Sequence, residues 1–347
     1  MTRAILLAPL WAGPLLLAAC GGGAGPEVNG DIEPAAETAA EPASAASPGS
    51  TTVVAPSPLP TARPPAFVSL AYLTAEVMVP ELPTSFAAPV PDPALEALIR
   101  TTLSGREGSY SVVVHHLGNG RFASLNGDTV YYAASLFKVG LLLEAYRQRD
   151  AGELDFGQAL TLEEKYVAYD LGTLEDLGLH EGDMVSVADA IKAMIVVSDT
   201  PTAVMIQDLV GPARVDATLR SLGIRDTSFN DYDLPSTASD MALLLEAIAR
   251  GDGVTGESRQ EMLSLLLQEG IRSGIPAALP ADAAVAHKTG SWENATHDVG
   301  ISWGSGGPYL IAVLSDQPLT WQPIVEVSRA VWDYFAANPS ASSGQAP

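Results

Sequence analysis

The sequence predicts an α/β fold of the α+β sandwich kind. An antiparallel sheet comes from both ends of the folded region, helices flank it, and an all-helical lobe is inserted between its halves. Three observations predict this. Aromatic and β-branched runs with hairpin punctuation lie at 110–125, similar runs return at 283–315, and helical periodicity fills most of the interval. In order, the first element is a helix over 93–103, with Leu95, Leu98 and Ile99 on one face. Residues 110–117 (YSVVVHHL) read as a strand, Gly118-Asn119-Gly120 as a hairpin turn, and 121–125 as the returning strand. A long helix is expected over 135–149, with further helices over 187–197 and 200–210. Two late strands follow, one over 283–289 and one over 299–303 that continues through 309–315. A last helix spans 324–336.

The chain has 347 residues, 47% of them hydrophobic, enough for a large core. Its net charge of −23 opposes contact with phosphate backbones and with anionic lipid surfaces. A single cysteine, Cys20, excludes an internal disulfide and a cysteine zinc site. The five histidines include no His-x-x-x-His pair, so no metal is expected. Arg3, the apolar stretch from Ile5 to Ala19 and the run Leu17-Ala18-Ala19-Cys20 resemble a bacterial lipoprotein signal. That resemblance implies lipidation at Cys20 and an extracytoplasmic, membrane-anchored protein; a plain secretory signal is the alternative, and both place the chain outside the cytoplasm. The expected organisation is a signal peptide over 1–19, a disordered tether over 20–66 and an extended segment without assigned elements over 67–91. A catalytic domain over 92–338 and a disordered tail over 339–347 follow.

Ser135-Leu136-Phe137-Lys138 puts a hydroxyl and an amine three residues apart at a helix start, on one face. Backbone N–H groups there favour a developing anion. The apolar neighbours Leu136, Phe137, Val139, Leu141, Leu142 and Leu143 can desolvate the lysine and depress its pKa. Alone, the pair fits an N-cap and a snorkelling lysine as well. Ser198-Asp199-Thr200 alone fits a helix cap, and Lys288-Thr289-Gly290 alone fits a charged strand edge. Gly300-Ile301-Ser302-Trp303-Gly304 matches a hydrolase elbow, but it reads as strand and no histidine follows it.

In their order and intervals, the first three motifs resemble those of the class A serine β-lactamases and the related penicillin-binding enzymes, over most of 93–336. The resemblance implies Ser135 as nucleophile, Lys138 as its proton acceptor or shuttle, and Ser198 as relay to the leaving nitrogen. It implies that Lys288, with Thr289 beside it, attracts a substrate carboxylate. Gly290 and Ser291 complete the binding edge, and the N–H groups of Ser135 and Ser291 form an oxyanion hole. The implied substrate is a small molecule or peptide with a carboxylate; no cofactor, nucleic acid or obligate partner is implied, and a monomer is expected.

Two departures stand out. Thr200 takes the place of the family's Asn and reaches less far. The family's Glu-x-x-Leu-Asn loop, whose glutamate activates the deacylating water, has no counterpart here. Asp233 falls nearest its place, with a side chain about 1.5 Å shorter. It is a candidate base, or a turn residue like Asp231. Three functions therefore stand: a β-lactamase-like hydrolase, a D-alanyl-D-alanine peptidase or esterase of the same fold, and a slowly acylated sensor.

Overall fold

The computed structural model describes residues 63–339 except Tyr232; the signal segment, Cys20, nearly all of the tether expected over 20–66 and the tail from 340 lie outside the described residues. From Pro65 onward the chain forms one unit. Its first half runs β1 (Val90–Pro91), α1 (Pro93–Thr102), β2 (Tyr110–His116), β3 (Arg121–Leu125), β4 (Tyr131–Tyr132), α2 (Phe137–Asp150), β5 (Ala159–Thr161), α3 (Glu164–Val167), α4 (Thr173–Leu177) and β6 (Met184–Ser186). Then come α5 (Val187–Val196), α6 (Thr200–Val210), α7 (Pro212–Ser221), β7 (Pro235–Ser236), α8 (Ala238–Arg250), α9 (Gly256–Leu267), β8 (Ala284–Trp292), β9 (Ala295–Gly304), β10 (Gly307–Ser315) and α10 (Gln322–Ala337).

The six-stranded sheet has the order β1-β3-β2-β10-β9-β8, so its centre joins the first and last parts of the domain. Strand alternation decides which layer each side chain enters. Val112 and Val114 of β2 and Ile311 and Val313 of β10 pack against α1 and α10. Val113, Leu310, Ala312 and Leu314 point the other way, into the core shared with α2, α5, α6, α8 and α9. The sheet is thus buried on both faces, as the continuous apolar character of 110–114 and 309–314 requires.

Local chemistry starts and stops the helices where the sequence changes. Asp92 caps α1, its Oδ1 accepting from the N–H groups of Ala94 and Leu95 at 3.1 Å each, with Pro93 in the first turn. Ser186 caps α5, Asp199 caps α6, Thr237 caps α8 and Thr255 caps α9. Gly251, at φ 78°, ends α8 in the left-handed region that its lack of a Cβ permits.

Three expectations are corrected. The run 299–315 is two strands, because Gly304-Ser305-Gly306-Gly307 closes a hairpin between β9 and β10. The helix expected from Ser135 begins with a 3₁₀ turn, Ala134–Leu136, and becomes α-helical at Phe137. The sheet is not wholly antiparallel: β1 pairs with β3 in parallel, Val90 opposite Arg121. Residues 67–91, for which the sequence assigned no element, lie along the domain: Leu70 is fully buried in the main core, and Trp303 Nε1 donates to the Glu81 carbonyl at 3.0 Å.

Candidate active site

The site is built where α2 begins, against the end of α5 and the edge strand β8. Tyr131 and Tyr132 pair with Ser236 and Pro235, and the Ala133 N–H donates to the Leu234 carbonyl at 2.8 Å. His297 of β9 fixes the same segment from the other side. Its Nε2 donates to the Tyr132 carbonyl at 2.9 Å, and its Nδ1 accepts from the Ser315 N–H at 3.1 Å. A carbonyl can only accept and an amide N–H can only donate, so this histidine is the neutral Nε2–H tautomer. Burial keeps its pKa low, at about 4. Ala134, at φ 45°, then turns the chain through the left-handed region into Ser135.

Lys138 is the hub. It is fully buried, and its Nζ lies 3.1 Å from Ser135 Oγ, 2.6 Å from the Ser198 carbonyl, 3.2 Å from Ser198 Oγ and 3.3 Å from Thr200 Oγ1. It therefore does not snorkel, and Ser135 forms no side-chain cap on α2. Desolvation pulls the Lys138 pKa well below the ordinary lysine value. The nearby Lys288 charge pulls it further, against Asp199 and Glu269. A neutral amine in this position has one lone pair, and the Ser135 hydroxyl is within reach to deliver its proton to it.

The second motif is presented by a strained turn. Ser198 sits at φ 58°, which aims its carbonyl and its hydroxyl at the same nitrogen. Asp199, fully buried, caps α6 through the Thr202 N–H at 2.7 Å and accepts from Thr173 Oγ1 at 2.5 Å. The cap expected at this motif is thus Asp199, while Ser198 and Thr200 face Lys138.

The third motif lies against the first. A Cβ at Gly290 would stand 3.1 Å from the Ala133 carbonyl oxygen and 3.3 Å from the Leu136 nitrogen, so glycine is what lets β8 approach the turn carrying Ser135. The Thr289 N–H points away from β9, to Glu269. Strand alternation gives the Ser291 N–H, two residues on, the same free edge.

Lys288 and Thr289 are engaged differently from what the resemblance implies. Lys288 Nζ donates to Glu269 Oε1 at 2.5 Å and to the Thr289 carbonyl at 3.0 Å, and Thr289 Oγ1 donates to Glu269 Oε1 at 2.6 Å. His287 Nδ1 lies 3.1 Å from Glu269 Oε2 and 3.0 Å from Asp298 Oδ1. Burial opposes protonation of His287, but the Asp298 and Glu269 carboxylates outweigh it and raise its pKa. Glu269, His287 and Asp298 offer ligand atoms within 4.8 Å of one another. The Lys288 ammonium already pairs with Glu269 and supplies the counter-charge that a metal ion would otherwise bring there.

Asp233 is exposed, and its N–H closes a turn on Asp231 Oδ1 at 3.0 Å. No described carboxylate lies within hydrogen-bond distance of Ser135 Oγ or Lys138 Nζ. Gly300–Gly304 lies within β9 with Ser302 fully buried, which is no elbow. Sequence reasoning missed Glu269, Asp298 and His297. A partial signal for Glu269 was available: a lysine inside an apolar strand needs a counter-charge, and Glu269 is a carboxylate two residues beyond the apolar run Leu265-Leu266-Leu267.

A model of the family described as the β-lactamase enzyme family matches residues 94–335. A β-lactamase of Streptomyces albus G is 26% identical over 228 residues, 59% of this chain and 71% of its own. The extended-spectrum β-lactamase PER-1 of Pseudomonas aeruginosa is 25% identical over 266 residues, 70% of this chain and 86% of its own. The solved structure of PBP-A superposes with a TM-score of 0.68 at 24% identity, covering 73% of this chain and all of that one, which speaks for the fold alone.

Proposed function

The chain belongs to the β-lactamase enzyme family, and is by that membership a β-lactamase-like hydrolase; from this premise we propose that it opens β-lactam or related amide bonds through an acyl-serine intermediate at Ser135. One observation carries the reading: the buried Lys138 amine stands 3.1 Å from Ser135 Oγ and 3.2 Å from Ser198 Oγ, with its pKa lowered by burial and by Lys288.

The steps follow from these positions. Lys138 takes the Ser135 proton as Oγ attacks the amide carbon. The tetrahedral oxyanion sits between the N–H groups of Ser135 and Ser291, at the dipole end of α2 and the free edge of β8. Ser198 passes a proton from Lys138 to the leaving nitrogen, since its hydroxyl touches the same amine. Collapse of the adduct breaks the C–N bond and leaves the acyl group on Ser135. Export and anchoring through Cys20 complete the proposal and place the domain where cell-wall amides and antibiotics are met.

A second reading concerns the next step. The lack of a described carboxylate against Ser135 or Lys138, together with the exposure of Asp233, favours slow hydrolysis of the acyl-enzyme. That is the behaviour of a peptidase of the same fold or of a slowly acylated sensor. A chromogenic cephalosporin separates the cases. Colour at many turnovers per enzyme, lost in Ser135→Ala, supports hydrolysis. A single stoichiometric burst, also lost in that variant, supports the stalled acyl-enzyme. Colour undiminished in Ser135→Ala would overturn both.

A further inference from the structure

We propose that Glu269 is a specificity-determining residue: its carboxylate fills the donors of Lys288 and Thr289, so that a carboxylate beside the scissile bond brings a substrate no advantage. The inference rests on acylation at Ser135 and adds to it which substrates are preferred.

The turn that carries Glu269 is held in place. The Gly270 N–H donates to the Val196 carbonyl at 2.8 Å, and a Cβ at Gly270 would stand 3.3 Å from that oxygen. Glu269 is thereby set between the end of α5 and the free edge of β8. Its Oε1 accepts from Lys288 Nζ at 2.5 Å, Thr289 Oγ1 at 2.6 Å and the Thr289 N–H at 3.0 Å. Its Oε2 is 3.0 Å from the same N–H and 3.1 Å from His287 Nδ1. A carboxylate has about four acceptor sites, and these five contacts saturate it. An ammonium, a hydroxyl and a backbone N–H converging on one carboxylate are what an anionic ligand would need. Here an internal side chain supplies the anion.

Charge pairing leads to the same place. The Lys288 ammonium faces the Glu269 carboxylate, and His287 Nδ1 lies between the Glu269 and Asp298 carboxylates. The side chains of all but Asp298 meet at Glu269, and all four are buried. Lys138 of α2 feels the Lys288 charge and, in the opposite sense, those of Glu269 and of Asp199 at the start of α6. Of the two lysine nitrogens that the motifs bring together, that of Lys138 is committed to hydroxyls and a carbonyl, and that of Lys288 to Glu269. No surplus cation of these two is left for an incoming anion, and displacing Glu269 would strand a buried charge.

The test compares acylation of the purified protein by a cephalosporin as free acid and as its methyl ester, read as the ratio of second-order rate constants for the acyl-enzyme by intact mass. Wild type should show a ratio within about threefold of one. Glu269→Gln keeps the shape, frees one positive charge, and should raise the ratio at least tenfold in favour of the acid, mainly through tighter binding. Glu269→Asp, which keeps the charge, should stay near wild type, and Glu269→Gln with Lys288→Met should return the ratio towards one. A wild-type preference for the acid above tenfold overturns the inference even if Glu269→Gln does not fold. An unchanged ratio in folded Glu269→Gln overturns it as well. Absence of both adduct and turnover with either compound overturns the acyl-serine reading itself, and the inference with it.

Discussion

The Ser198 carbonyl accepts a 2.6 Å hydrogen bond from Lys138 Nζ, across 60 residues of sequence, from a backbone held at φ 58°. The same left-handed turn brings Ser198 Oγ to 3.2 Å from that nitrogen. Left-handed φ costs a residue with a Cβ about 1–2 kcal/mol, so strain is stored at the point where two motifs meet.

Stability and activity should therefore separate at this position. Ser198→Gly relieves the strain but adds unfolded-chain entropy of about 0.5–1 kcal/mol, so its unfolding free energy should stay near wild type. Its acylation rate should fall about a hundredfold or more, because the proton relay is gone. Ser198→Val keeps the strain, adds a branched side chain, and should lose about 1–3 kcal/mol in denaturant titrations.

A depressed Lys138 pKa has a kinetic signature. If its neutral amine takes the serine proton, the acylation rate should rise with pH and reach its plateau well below the ordinary lysine range. Lys138→Arg places a permanently charged group there and should abolish the pH-dependent limb together with about two to four decades of rate. A limb centred near the ordinary lysine value would show that Lys138 is not the base.

Contact between β8 and the Ser135 turn leaves no room at Gly290. In Gly290→Ala the new methyl would meet the Ala133 carbonyl oxygen at 3.1 Å and Leu136 Cγ at 3.2 Å. Overpacking of this kind costs about 1–3 kcal/mol. Thermal unfolding should report that loss. Acylation should slow by more than the stability change explains, because the Ser291 N–H moves away from Ser135.

His297 makes the scaffold acid-sensitive. The unfolded chain protonates this histidine near its ordinary value of 6.5, whereas the native protein keeps it neutral until about pH 4. The unfolded state thus binds more protons between those limits, and stability falls as the pH drops through them. A shift from 6.5 to about 4 amounts to about 3 kcal/mol. Urea titrations from pH 7 to pH 4 should show that loss, and His297→Gln should flatten it.

Much of this molecule is legible in its sequence. The helix over 93–103, the hairpin at 118–120 and the helices on either side of Ser198 follow from periodicity and caps, which are local. The three motifs were found for the same reason: each is contiguous. What escaped is non-local. Glu269 and Asp298 reach Lys288 and His287 from different elements, and although a lysine in an apolar strand calls for a counter-charge, the sequence does not single out the carboxylate nineteen residues away that supplies it. The break at Gly304–Gly307 was hidden because the apolar runs on either side are both strand-like, and only the glycines separate them. The exposure of Asp233 depends on how the short loop after α7 closes on Asp231, a tertiary outcome that residue counting does not reach.

The most direct test is to expose the protein to benzylpenicillin, quench within seconds, digest it and locate the adduct by tandem mass spectrometry. The account predicts one penicilloyl group, on the peptide containing Ser135 and on that hydroxyl, absent from Ser135→Ala and strongly reduced in Lys138→Arg. An adduct on another residue, or an adduct on Ser135 that forms equally fast without the Lys138 amine, would contradict it.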